Sequence, residues 1–159
     1  MLIHWNSWRR AFSRSILSGS VASALSAIAL LILGRREAGS AVAPVNAVSH
    51  WYFGDKAARR DRPSLKYTLS GYLTHHAASV FWATIFERLF ERRTWPTRTP
   101  PLSPAAAIAL TAAVVDYTIT PKRLTPGFEK RLPATSLVWV YGAFAIGLAL
   151  GHSGRSLRR

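Results

Sequence analysis

The stretch LPATSLVWVYGAFAIGLALGHSG, residues 132–154, decides the fold class. It runs without an Asp, Glu, Lys or Arg, which exceeds the roughly 20 apolar residues a helix needs to cross a hydrocarbon core. Its apolar residues lie all round the helix instead of on one stripe of 3.6 period, as a water-facing helix would require. The segment predicts a transmembrane helix.

Three more runs extend that reading toward the N-terminus. Ile16 to Leu33 carries no charge and ends in AIALLIL, with Arg9, Arg10 and Arg14 before it and Arg35, Arg36 and Glu37 after it. Leu69 to Phe86 is charge-free and closed by Glu87-Arg88. Ala105 to Ile119 follows the breaker Pro100-Pro101-Leu102-Ser103-Pro104, is interrupted only by Asp116, and stops at Pro121-Lys122-Arg123. The expected fold is all-α, a polytopic membrane helical bundle in one domain, with spans over about 16–33, 69–88, 104–120 and 133–152.

Composition then has a simple explanation. The 159 residues hold 21 Lys and Arg against 7 Asp and Glu, a formal charge of +14. Such a balance suits nucleic acid when the charge gathers on one solvated surface, but here it is dealt out among the span ends, where basic side chains snorkel to headgroups. Nucleic acid is therefore not an expected partner; the bilayer is. Trp51, Tyr52, Trp95 and Trp139 are placed like interfacial aromatics. No cysteine is present, which excludes disulfides, thiolate metal sites and a Cys nucleophile.

Trp8-Arg9-Arg10-Ala11-Phe12 resembles part of a twin-arginine export signal, but the apolar run is long for one and arginines follow it directly, so a retained first span is expected. Gly19, Ser23 and Ala27 recur every fourth residue, as do Gly147 and Gly151, offering flat faces for close helix contact. In the first connector, Ala38 to Gly54 is uncharged but broken by Pro44 and Asn46, which points to an interfacial or re-entrant helix instead of a fifth span. With four spans, the termini and second connector carry ten Lys and Arg and the other two connectors eleven, so charge bias does not set the orientation.

Ionisable groups at membrane depth are the best pointers to function. His75 lies about six residues into the second span, roughly 9 Å deep, and Asp116 about five residues before the end of the third, roughly 7 Å. The expected site is a polar cluster of His50, Asp55, His75, His76 and Asp116 near one membrane face, with Asp116 paired to one imidazole and Lys122 and Arg123 contacting headgroups. Glu87 and Glu91 read as paired with neighbouring Arg on a solvated turn, and His4, Trp5 and His152 as solvent-facing tail residues. No metal-binding spacing, Gly-rich phosphate loop or hydrolase elbow occurs, so no cofactor and no catalytic residue is assigned.

By NAVSHWYFGD (46–55), GYLTHHAASVFWATIFERLF (71–90) and VVDYTITPKRLTPGFE (114–129), the chain resembles small bacterial inner-membrane proteins with four spans. The resemblance implies a multi-pass location in the cytoplasmic membrane and brings no site residues. The expected role is structural or accessory, with partner membrane helices or further copies of the chain as partners. The alternatives are a small proton- or ion-coupled transporter or channel, and a membrane metalloenzyme acting on lipid or quinone.

Overall fold

The computed structural model describes residues 2–90 and 100–156, with side chains described over 6–90 and 100–154. Glu91, Trp95 and the rest of the second connector through Thr99 fall outside these ranges, as do the side chains of His4 and Trp5. The described residues are mostly helical, with no strand among them. Four long helices are α1 (Leu2–Glu37), α4 (Ser70–Phe90), α5 (Leu102–Val114) and α6 (Ala134–Ser156); two short ones, α2 (Ala43–Val48) and α3 (His50–Phe53), lie in the first connector.

Helix α1 starts well before the first apolar run and, at 36 residues, is about 54 Å long. It ends where Gly39 takes φ +71° and the amides of Ala38 and Ser40 both turn back to the Gly34 carbonyl. Its main partners are α6 and α4. Small residues make the approach close: a Cβ at Gly147 would overlap the backbone of Ala22, one at Gly151 would stand 2.5 Å from Cα of Ser18, and one at Gly19 2.8 Å from Cα of Val80. The two small-residue faces seen in the sequence are thus both used, one between α6 and α1 and the other between α1 and α4.

Among the described residues, three helices are long and apolar enough to cross a membrane: Asn6–Glu37, Leu102–Ile119 and Ala134–Gly154. The second expected span is a helix of 21 residues, but its mean hydropathy falls short of theirs. The reason is its load of Ser70, Thr74, His75, His76, Ser79, Thr84 and Glu87, which freedom from charge alone does not reveal. The segment expected as an interfacial or re-entrant helix, 38–54, is not one continuous helix. It is two pieces, of six and four residues, separated at Ser49 and ended at Gly54 with φ +61°. The six residues of α2, about 9 Å of helix, are all buried against the end of the bundle.

Asn46 explains how that connector is held. Fully buried, it donates through Nδ2 to the carbonyls of Arg60 (2.8 Å) and Arg62 (3.1 Å) and accepts at Oδ1 from the Thr68 hydroxyl (2.6 Å). Thr68 in turn accepts from the Ser64 amide while the Ser64 hydroxyl accepts from the Tyr67 amide, a reciprocal cap that starts the π turn Leu65–Leu69 leading into α4. The third connector is tied to the first by Lys130–Asp55 (2.6 Å), by Arg131 to Asp61 (2.6 Å) and the Ala58 carbonyl (2.8 Å), and by Trp51 Nε1 to the Thr125 carbonyl (2.9 Å). These two connectors therefore form one end of the molecule.

Beside its apolar clusters, the bundle is partly inverted relative to a soluble one. Its interior includes Ser15, Ser18, Ser23, Ser26, Ser79, Thr74 and Glu87, while Val138 and Trp139 are 70 % and 71 % exposed, with Ile16, Ile32, Phe81 and Leu110 also on the outside. Water would penalise so much contiguous apolar surface.

Candidate functional site

Two hydrophobic clusters hold the interior. One joins Ala22, Ala83, Phe86, Ile108, Phe144 and Leu148; the other, toward the connector end, joins Leu30, Leu33, Val45, Val48, Phe128 and Val140. Helices α4 and α5 touch little. Where they part, a cavity of about 640 Å³ opens, walled by α4, α5 and α6, floored by Ser26 of α1 and closed toward the connectors by Trp51 and Tyr52 of α3. Its rim includes the exposed Leu73 and Phe81.

Both deep ionisable residues singled out in the sequence, His75 and Asp116, line this cavity. They are not paired with one another. His75 Nε2 lies 2.9 Å from the Ser26 hydroxyl, so its tie runs from α4 to α1. Asp116 sits in the π turn Val115–Ile119 that ends the third apolar run, and its Oδ2 accepts from the Tyr141 hydroxyl at 2.6 Å, a tie to α6. The expected clasp of the second span against the third is therefore replaced by two clasps, each to a different neighbour. The widened helical turn that displaces Asp116 from regular α geometry is of the kind found at functional positions.

The remaining members of the expected cluster lie elsewhere. His76, one residue and about 100° further round α4, is outside the cavity lining, packs beside Tyr72 at 6.1 Å and keeps Nδ1 buried without a hydrogen bond. His50 is buried under the third connector, where Nδ1 meets the Ala47 carbonyl at 3.0 Å and a Cβ at Gly127, φ +94°, would stand 2.6 Å from the same two atoms. Asp55 is on the surface, where its hydrogen bond and charge contact with Lys130 hold its carboxyl below the ordinary value of 3.8. Lys122 and Arg123 are exposed at the same end. Among the described residues, no three His, Asp or Glu side chains converge closely enough to hold a metal ion.

Two residues assigned to solvent are interior. Glu87 is 0 % exposed, its Oε1 accepting from the Ser18 hydroxyl at 2.9 Å and its Oε2 lying 3.2 Å from His152 Nδ1. His152 is half-buried and meets Phe86 edge-on at 5.4 Å. The basic residues around Glu87 suggest a solvated turn, whereas the helix phase places it three residues below Thr84, on the same face toward α1, where Thr84 meets the Ser15 hydroxyl at 2.7 Å. Tyr141 and Ser26 carry no signal in the sequence, because uncharged hydroxyls do not interrupt an apolar run.

Compared with known protein families, curated proteins and solved structures, the chain has no match.

Proposed function

We propose that the chain is a multi-pass protein of a bacterial cytoplasmic membrane, a four-span bundle in which α4 crosses together with the three more apolar helices, and that its role is structural or accessory, not catalytic. The inverted distribution of polarity carries this reading. On α4, the polar side chains that lower its hydropathy turn inward: His75 to Ser26, Thr84 to Ser15 and Glu87 to Ser18, all on α1. Outward it offers Leu73, Phe81 and Leu89. In hydrocarbon, hydrogen-bonded polar groups between helices act as glue, each contributing about 0.6 kcal/mol on average and up to roughly 2. Lys122 and Arg123 are free to reach headgroups, and the exposed apolar faces suit partner helices or a second copy.

Cysteine accessibility tests it, since the native chain has no cysteine. Four crossings put both the first and third connectors on one side. Lys56→Cys and Arg123→Cys are then expected to react with a membrane-impermeant maleimide from the same side of sealed vesicles, and Arg9→Cys from the other. Labelling of the 56 and 123 positions from opposite sides, or recovery of the protein in the supernatant without detergent, refutes the reading.

The placement of His75 and Asp116 on one cavity favours a second reading, a small proton- or ion-coupled transporter. Vesicles holding the protein would then dissipate an imposed pH gradient faster than empty ones; equal rates refute it.

A further inference from the structure

The cavity combines three properties that none of its residues has alone. It is of a size that holds a drug-like molecule. Its wall is rich in aromatic rings, Trp51, Tyr52, Phe81, Trp82, Tyr141 and Phe144 among them. And in a chain with 21 Lys and Arg, none lines it.

What charge the cavity does hold is acidic. Asp116 lines the cavity and its Oδ2 is satisfied by Tyr141, while among the described residues no hydrogen bond reaches Oδ1. Glu129, held by the Thr125 hydroxyl at 2.7 Å, lies within electrostatic reach of Asp116 and has its own Oε2 buried without a partner. The cations of the third connector stay out of the lining: Lys130 and Arg131 are engaged by Asp55 and Asp61, and Lys122 and Arg123 are exposed on the surface. His75 is occupied by Ser26 and adds no fixed positive charge while neutral.

A half-satisfied carboxyl at membrane depth is costly unless a partner completes it. Aromatic faces attract cations through their quadrupole, most strongly where water is excluded. A neutral lipid tail would use the rings and leave Oδ1 alone; an anion would find no Lys or Arg in the lining and would face the Asp116 carboxyl. We infer that the cavity between α4, α5 and α6 is a binding site for a lipophilic organic cation, with Asp116 as the counter-charge, Tyr141 as its positioning residue and the aromatic wall as the cradle. The site is independent of the accessory role proposed above, since a bundle with no such ligand would still span the bilayer.

Calorimetric titration of the full-length protein in detergent, with methyltriphenylphosphonium and triphenylphosphine oxide as probes, tests this. The two share three phenyl groups and differ in charge. The expected result is saturable one-to-one binding of the cation, at least tenfold tighter than the neutral oxide. Asp116→Asn should weaken the cation at least tenfold and leave the oxide unchanged. Ala78→Trp, which fills the cavity from α4, should abolish cation binding, and this variant decides the location even if the Asn variant fails to fold. Equal affinities for the two probes in the native protein, an unchanged cation affinity in Asp116→Asn, or full binding by Ala78→Trp each overturn the proposal.

Discussion

Adding one methyl group to two glycines of the same helix should move stability in opposite directions. Gly142 and Gly147 both lie in α6, so Gly→Ala carries the same helix-propensity gain at each, about 0.5–1 kcal/mol. At Gly142 a new Cβ meets nothing within 4 Å and the gain stands alone. At Gly147 the nearest atoms are Cα and N of Ala22 and the carbonyl oxygen of Val21, the latter two at 2.8 and 2.9 Å. All are backbone, so no rotamer change relieves the overlap and α6 must move away from α1 by roughly an ångström. Overpacking of this kind costs about 1–3 kcal/mol. At roughly 2–4 °C per kcal/mol for a chain of this length, Gly147→Ala should lower the Tm by roughly 2–12 °C, less the propensity gain, while Gly142→Ala raises it slightly. Tryptophan fluorescence during thermal unfolding, at fixed detergent concentration, reads both. Equal shifts of the same sign in the two variants would refute direct backbone contact between α1 and α6.

Asn46→Ala removes three hydrogen bonds from a fully buried site, and at about 1 kcal/mol each should cost about 3 kcal/mol, measured by thermal unfolding. Limited proteolysis should cut residues 55–66 of this variant sooner than in the native protein. For Asp55, the sign follows from its lowered pKa: the contact with Lys130 is intact above the ordinary carboxylate value of 3.8 and is lost only as pH falls through the lower folded value. NMR titration of the Asp55 carboxyl should give a midpoint below 3.8 that moves up in Lys130→Met; a midpoint unaffected by that change removes the pair.

Much of the architecture was readable from patterns of charge and apolarity. Long uncharged runs bounded by Arg, Pro and Gly located the long helices, because a chain that cannot hydrogen-bond its backbone to water has helix as its ready solution. His75 and Asp116, which counting residues along the helical rise puts at one level, both line one cavity. Identity of partners was not readable. Adjacent His75 and His76 point about 100° apart, and which of them meets the cavity depends on the rotation of α4 about its axis. Glu87 looked solvated beside Arg88 because sequence neighbours suggest charge pairing, whereas its surroundings come from Ser18 and His152, distant in the chain.

The amino-acid order alone determined that this is an all-α chain with long apolar runs fit for membrane helices, because charge-free length is a local property. Only the tertiary structure decided that Asp116 pairs with Tyr141, that His75 pairs with Ser26, and that α4 and α5 part around a cavity. The physical reason is that a hydrogen bond between helices depends on their rotation, tilt and separation, and those are set jointly by every close contact in the bundle, the glycines of α6 against α1 foremost among them.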